Sequence, residues 1–261
     1  MGNSRSDLRR LVIRPGAIGD LIVSLPAIES LQAGYLEVWT ARRNAPLVRF
    51  ANQVRAIDAT GLDLVGITQP TLPAFRQFDE IVSWYGTNRP DFRDAVSGLP
   101  FRFFPPLPSD GASMHATDFY LEQVRALTHT QTDGVPRIAC PGPRENFAVI
   151  HPFSGSARKN WPFAKFRDLA ARLERVMPVR WCAGDEDPPL PEAHRFADLY
   201  ELACWLAKAR LYIGNDSGIT HLAAAVETPT LAIFRDSDPA IWAPLGPHVR
   251  VVKANMETAK G

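Results

Sequence analysis

The chain has 261 residues, of which 46% are hydrophobic and 22% charged, and its formal net charge is +1. This composition is typical of a globular protein, and the length suits two domains of ordinary size. Because a nucleic-acid-binding protein usually carries a clear excess of basic residues, the charge argues against a nucleic-acid partner. No stretch approaches the roughly 18–20 apolar residues of a membrane-spanning helix.

The first half of the chain alternates short β-like runs with helical ones. Its hydrophobic pattern predicts strands over 10–13, 36–40, 54–59, 78–84 and 101–104, and helices over 20–32 and 116–127. The segment 140–146, CPGPREN, then breaks the pattern with two prolines and a glycine. We predict an interdomain linker there, between a domain over 1–143 and a domain over 144–261.

The second half shows a more regular alternation of strands and helices. Strands are predicted over 147–150, 179–182, 211–214, 230–234 and 249–253, and helices over 163–175, 199–209 and 218–226. Strands connected by helices form parallel sheets, which bind ligands at the carboxyl ends of the strands. The predicted fold class is therefore α/β, with two domains in tandem and a cleft between them.

The cysteines and arginines indicate where in the cell the protein acts. Three cysteines, Cys140, Cys182 and Cys204, are far apart and fit no metal or disulfide pattern, and the N-terminus lacks the apolar core of a signal peptide. We therefore expect free thiols in a cytoplasmic protein. Arginines gather at Arg5, Arg9 and Arg10 and again at 42–43, which indicates either solvated faces or a basic surface for anionic lipid or a phosphorylated acceptor.

The stretch RPGAIGD, residues 14–20, lies between the first predicted strand and the first helix. Gly16 and Gly19 allow a tight turn and the close approach of a ligand. Asp20 has two interpretations. It is either the N-cap of the helix, which satisfies free amide groups, or a general base that removes a proton from an attacking hydroxyl group.

Two further loops follow predicted strands in the second half. In HPFSGSARKNWP, residues 151–162, Ser154 and Ser156 offer hydroxyl groups to a phosphate, and Lys159 offers a positive charge. The alternative is an exposed basic loop. No Gly-rich dinucleotide motif, P-loop or metal-ligand histidine pair accompanies them.

The second of these loops is part of LYIGNDSGITHLAAAV, residues 211–226. It places Asp216, Ser217 and Gly218 at the start of a helix, whose first amide groups form an anion site, and His221 one turn later. The alternatives are that Asp216 only caps the helix and that His221 is an ordinary helix-surface histidine.

Taken together, these three motifs resemble those of glycosyltransferase family 9, the heptosyltransferases. The order of the motifs agrees, as do LPAIESLQ after Asp20, LAAAVETPTLAIF after His221 and the segment 236–247. The resemblance implies a shortened member with a GT-B fold, in which two Rossmann-like domains with parallel sheets face a central cleft. It further implies an acceptor site in the first domain and a nucleotide-sugar site in the second.

The resemblance also implies an activity and roles for residues. The activity is inverting transfer of heptose from ADP-heptose to a lipopolysaccharide-core hydroxyl, without a metal or other cofactor, in the cytoplasm or at the cytoplasmic face of the inner membrane. By match, Asp20 is the base, and the donor-binding residues are Ser154, Ser156, Lys159, Glu186, Asp216, Ser217, Gly218 and His221. Asp185 and Asp187 compete with Glu186 for the ribose. Transfer of a different sugar or nucleotide, and binding without catalysis, are the alternative functions.

Overall fold

The computed structural model describes residues 7–68, 72–109, 111–128 and 130–254. It divides into two compact units: the first extends to Gly134, and the second begins at Val135 and also includes Ser113–His115. The division thus lies before the predicted linker at 140–146. The reason is that the chain is already bonded to the second unit at Ile138, whose N–H donates to the Ala225 carbonyl at 2.8 Å.

The first unit contains a parallel five-stranded sheet in the order β3-β2-β1-β4-β5. Its strands are β1 Arg9–Arg14, β2 Tyr35–Thr40, β3 Gln53–Ala56, β4 Glu80–Ser83 and β5 Phe101–Phe103, and its helices are α1 Ile18–Ser30, α2 Leu72–Phe75, α3 Pro90–Ala95 and α4 Ala116–Val124. The apolar run Leu11–Ile13 is fully buried, as expected for the central strand of a parallel sheet.

The second unit contains a parallel six-stranded sheet in the order β11-β10-β9-β6-β7-β8. Its strands are β6 Ala148–His151, β7 Val179–Cys182, β8 Ala193–His194, β9 Leu211–Asn215, β10 Thr230–Phe234 and β11 Val249–Lys253, and its helices are α5 Phe163–Leu173, α6 Leu199–Ala207, α7 Gly218–Ala225 and α8 Pro239–Trp242. The predicted α/β class with two parallel sheets is confirmed.

The strand order creates a switch point in each sheet, where consecutive connections leave in opposite directions. In the first sheet it lies between β1 and β4, and in the second between β6 and β9. Loops that follow strands at a switch point separate and leave a crevice, where ligands of such folds bind. The loop before Asp20 follows β1, and the loop that carries Lys159 follows β6.

Several predicted bounds need correction. Helix α1 begins at Ile18, not at Asp20, and the predicted third strand ends at Ala56, where a 3-10 turn over Ile57–Ala59 replaces it. The pattern also missed α2, α3 and α8, since helices of six residues or fewer span less than two turns, and the edge strand β8, which has only two residues.

The predicted basic surface is smaller than the sequence indicated. Arg10 is buried, and its guanidinium lies 2.7 Å from the Glu80 carboxylate. Arg42 is exposed and pairs with Asp58 at 2.9 Å. All three cysteines are free thiols, as predicted. Across the described ranges, none of the helices combines the length and apolar character needed to span a bilayer.

Candidate functional site

The switch point of the second sheet brings together three loops at the carboxyl ends of neighbouring strands. The loop after β6 carries Lys159, the turn after β9 carries Asp216, and the loop after β10 carries Ser237. The register places His151 of β6 beside Gly214 of β9. Residues distant in the sequence therefore meet at one edge of the sheet.

Lys159 and Asp216 form an ion pair at this edge. The Lys159 Nζ lies 2.7 Å from the Asp216 Oδ2, and the Asp216 side chain is only 5% exposed. The Ser237 hydroxyl also donates to this carboxylate. Because a buried carboxylate requires such partners, Asp216 fixes the position of the ammonium group. Two predicted donor-site residues are thus in direct contact.

Hydrogen bonds within the loop over 152–162, and between this loop and β9, hold the loop in place. The Ser154 hydroxyl lies 2.7 Å from the Asn160 Oδ1 and 2.9 Å from the Ser156 carbonyl. Asn215, fully buried at the end of β9, accepts from the Trp161 N–H at 2.8 Å and donates to the Pro152 carbonyl at 2.7 Å. Asn215 therefore attaches the loop to the sheet, a role that the sequence analysis missed.

The helix α7 begins at this edge, directly after Ser217. Ser217 is the N-cap, since its hydroxyl accepts from the Thr220 N–H at 3.4 Å, and Gly218 is the first helical residue. The interpretation of Asp216 as the cap is therefore wrong. The surface interpretation of His221 is wrong as well, because this residue is 6% exposed. The first N–H groups of α7 and the helix dipole make this edge attractive to anions.

The three acidic residues after β7 differ in their surroundings. Asp185 and Glu186 are exposed, whereas Asp187 turns inward and accepts from the His151 Nε2 at 3.0 Å and from the Gly184 N–H at 2.6 Å. Burial works to raise the pKa of Asp187, but the hydrogen bonds from His151 and Gly184 outweigh it and lower that pKa. Glu186 as the ribose ligand stays a prediction. No cluster of three His, Cys, Asp or Glu side chains suited to a metal ion occurs among the described residues.

In the first unit, Asp20 lies in the first turn of α1. The N-cap is Ala17, so the interpretation of Asp20 as the N-cap is wrong; Asp20 is the third helical residue. Its Oδ2 accepts from the Ala17 N–H at 3.1 Å. Gly16 has a φ of +122°, and a Cβ there would lie 2.9 Å from the same oxygen. The missing side chain at Gly16 thus leaves room for the carboxylate.

Two residues outside the predicted set support this turn. Arg14 is 2% exposed and donates to the Asp20 carbonyl at 2.9 Å and to the Ser24 hydroxyl at 3.0 Å. Burial lowers the pKa of Arg14, while Tyr120 and Asp20 oppose that change. Asn44 donates to the Gly16 carbonyl at 3.0 Å. Arg14 belongs to the quoted motif, whereas no sequence signal marked Asn44.

Two α/β units, each built on a parallel sheet, are the architecture of the GT-B fold, the fold class to which many glycosyltransferases belong. The profile of glycosyltransferase family 9 (heptosyltransferase) matches residues 109–261, and the chain belongs to this family. It is 31% identical over 119 residues to lipopolysaccharide heptosyltransferase 3 of Escherichia coli; this match covers 40% of the chain and only 35% of that relative. The chain therefore aligns with about a third of that protein's length.

Two longer matches agree with this assignment. Lipopolysaccharide heptosyltransferase 1 of Pseudomonas aeruginosa is 22% identical over 298 aligned positions, which cover 92% of the chain and 82% of that protein. The structure of Escherichia coli ADP-heptose LPS heptosyltransferase II superposes with a TM-score of 0.74 at 17% identity, over 94% of the chain and 90% of that structure. At this identity the superposition establishes the fold.

The lowered pKa of Asp187 predicts a pH-dependent stability. A carboxyl group with a lowered pKa stabilises the fold above its ordinary pKa of 3.8, and this contribution is lost as the pH falls through the folded-state value. The melting temperature of Asp187→Asn should therefore lie below that of the wild type at neutral pH. The difference should shrink below about pH 4.

The matched control is Asp185→Asn, which changes an exposed residue of the same turn. Its melting temperature should follow that of the wild type at every pH. If Asp187→Asn and the wild type differ by the same amount at neutral pH and at low pH, the ionised Asp187 is not the source of the stability.

Proposed function

We propose that the protein is an inverting glycosyltransferase that moves heptose from ADP-heptose to a hydroxyl group of a lipopolysaccharide-core acceptor, without a metal ion. The observation that carries this proposal is the Lys159 ammonium group held by Asp216 beside the N-terminus of α7. The family membership supports transferase activity, and the names of the relatives supply the sugar, the nucleotide and the acceptor class. A donor of a different sugar or nucleotide is the alternative within the same chemistry.

The second unit would bind the donor through its diphosphate. Lys159 supplies a full positive charge, and the N–H groups of Gly218 and Ile219 supply the partial charge of the helix end. As the bond between the sugar and the diphosphate breaks, negative charge grows on the leaving ADP. Groups fixed in place before the reaction stabilise such charge most effectively, and the contact with Asp216 fixes Lys159 in this way.

The first unit would activate the acceptor through Asp20. The Ala17 N–H holds the Asp20 carboxylate in the first turn of α1, where it can accept the proton of the acceptor hydroxyl group. The deprotonated oxygen attacks the anomeric carbon from the side opposite the diphosphate. One bond forms as the other breaks, so the configuration at that carbon inverts.

We further propose that the protein acts in the cytoplasm, at the face of the inner membrane where a lipid-linked acceptor presents its sugar. The free thiols are compatible with a reducing compartment. The exposed arginines Arg42 and Arg43 lie on the first unit, to which the proposal assigns the acceptor. Cationic side chains there would favour contact with anionic lipid or with acceptor phosphates.

The variant Asp20→Asn tests the base. An asparagine oxygen still accepts from the Ala17 N–H, so the melting temperature and the affinity for ADP should change little. Because the amide cannot take up the proton, turnover should fall by about 10²–10⁴-fold. Kinetics with ADP-heptose and a core acceptor, together with calorimetry with ADP, provide the two readings. Wild-type turnover by Asp20→Asn would end the assignment of Asp20 as the base.

The variant Gly16→Ala tests whether the position of the carboxylate matters. Gly98→Ala is the matched control: Gly98 has a φ of +81°, and a Cβ there meets nothing within 4 Å. Both variants force a side chain into a backbone conformation that favours glycine, so each should lose about 1 kcal/mol of unfolding free energy.

The two variants should differ in catalysis. Only Gly16→Ala displaces the Asp20 carboxylate, so turnover per folded molecule should fall at least about tenfold for Gly16→Ala and stay near the wild-type value for Gly98→Ala. Equal turnover of both variants would show that the space at Gly16 serves the turn alone.

The variant Lys159→Ala tests the donor site. Loss of a charged contact to the diphosphate should weaken ADP binding by about 1.5–3 kcal/mol in calorimetry. Arg158→Ala is the matched control, since the Arg158 side chain is 78% exposed and pairs with Asp236. Exposed ion pairs contribute little, so ADP affinity should be nearly unchanged in this control.

A double variant distinguishes two causes of weaker ADP binding in Lys159→Ala: the lost attraction between Lys159 and the phosphates, and the new repulsion between the phosphates and the unpaired Asp216 carboxylate. In Lys159→Ala the buried Asp216 carboxylate has lost its cation and faces the incoming phosphates, so Lys159→Ala with Asp216→Asn should recover part of the lost affinity. If Lys159→Ala binds ADP as tightly as the wild type, Lys159 does not belong to the donor site.

A further inference from the structure

A chain of three polar side chains connects the acidic turn after β7 to the N-terminus of α7. His151, the last residue of β6, is 3% exposed. Its Nε2 lies 3.0 Å from the Asp187 Oδ2, and its Nδ1 lies 3.5 Å from the Ser217 Oγ. The two nitrogens of one buried imidazole thus face a carboxylate and the hydroxyl group that caps α7.

The Asp187 carboxylate determines where the protons of this chain lie. Its lowered pKa keeps it ionised at neutral pH, so it can only accept a hydrogen bond. The Nε2 of His151 must therefore carry a proton. In the neutral imidazole the Nδ1 is then an acceptor, to which the Ser217 hydroxyl can donate at 3.5 Å; the Thr220 Oγ1 at 3.2 Å is its other acceptor. While Ser217 donates to the Nδ1, it has no proton to donate to an anion at the end of α7.

Protonation of His151 reverses the direction of the second hydrogen bond. The Nδ1–H then donates to the Ser217 Oγ, and the hydroxyl proton is released for another acceptor. Thr220 offers a weaker alternative, since its own hydroxyl, 3.2 Å away, already donates to the Asn215 carbonyl and lies 3.1 Å from the Tyr212 hydroxyl. A phosphate oxygen is a stronger acceptor, because hydrogen bonds to ionised groups are the stronger ones.

We propose that His151 is a positioning residue of the donor site, and that it takes up a proton when a nucleoside diphosphate binds, so that Ser217 donates its hydroxyl proton to a phosphate oxygen. This inference rests on the proposed function, which places the diphosphate at the end of α7. It adds a proton-linked contact that the motifs do not assign. By linkage, a ligand that favours the protonated imidazole binds more tightly as the pH falls through the titration of that imidazole.

The other titratable groups around this chain are a cysteine, a tyrosine, an arginine, the Lys159–Asp216 pair and a second histidine. Burial raises the pKa of Cys182 to about 12 and raises the pKa of Tyr212 as well, so both groups stay neutral at physiological pH. Arg195, which interacts with Asp187, stays charged. At the same edge, Lys159 and Asp216 form their own ion pair, and His221 of α7 is a second imidazole.

The test is a pH titration of the histidine side chains by ¹⁵N NMR, on the full chain, with and without ADP. The Nε2–H tautomer of His151 should be observed in the free protein at high pH, and ADP should move the pH midpoint of the His151 signals upward. Calorimetry with ADP from about pH 5.5 to about pH 8.5 gives the matching affinities. Over this range the wild type should gain about three- to tenfold more affinity than His151→Gln.

The comparison between variants cancels the titration of ADP itself, since its phosphate titrates identically in every sample. His221→Gln should keep the pH-dependent gain that His151→Gln loses. Asp187→Asn is the second variant: without the carboxylate, the midpoint of the His151 signals should move to lower pH. If the role of His151 is merely structural, ADP moves neither the midpoint of its signals nor the pH profile of binding relative to His151→Gln.

The outcomes separate this inference from the proposed function. If ADP binds but neither the His151 midpoint nor the pH dependence changes, the proton-linked contact is overturned and the donor site stands. If ADP does not bind the wild type at any pH, the proposed function fails, and the inference fails with it.

Discussion

The ion pair between Lys159 and Asp216 is the interaction on which the proposed donor site of the second unit depends. Asp216 is buried at the carboxyl end of a central strand, where an unpaired carboxylate would be strongly unfavourable. Its partners are the ammonium group and the Ser237 hydroxyl, which come from loops on either side. The ion pair and the Ser237 hydrogen bond therefore hold three loops together, and the cation stays beside the positive end of α7. The same ion pair holds the loops in place and keeps a positive charge at the edge of the sheet where we propose that an anion binds.

The two units use carboxylates in opposite ways on the same strand-turn-helix plan. Asp216 is neutralised by a lysine and holds that lysine in place, whereas Asp20 accepts from a backbone N–H and keeps lone pairs for a proton. The first role needs burial and a cation, and the second needs access and a helix N-terminus. Position in the fold, more than residue type, decides what each carboxylate can do.

Much of the architecture could be predicted from the sequence. The strands Val179–Cys182, Thr230–Phe234 and Val249–Lys253 match their predicted bounds, because each is a short run rich in β-branched or aromatic residues between turn residues. The start of α1 was misplaced because an aspartate in the first turn produces the same pattern at the N-cap and two or three residues later.

The contacts within the candidate sites could not be predicted in the same way. Motifs placed Lys159 and Asp216 at one edge, but their pairing depends on side-chain direction and on the order of the strands. His151 and Asp187 meet only because β6 and β7 are neighbours, and Asn44 reaches the Gly16 carbonyl from a separate 3-10 turn. Such contacts join residues that are distant in the sequence, so the local hydrophobic pattern does not predict them.

The most direct measurement of the central claim is a crystal structure of the protein with ADP. The account predicts that the diphosphate lies at the end of α7, within hydrogen-bonding distance of the Lys159 ammonium group and the Gly218 N–H. It also predicts that Lys159 stays beside Asp216. A diphosphate bound elsewhere, with the Lys159–Asp216 edge empty, would contradict the account.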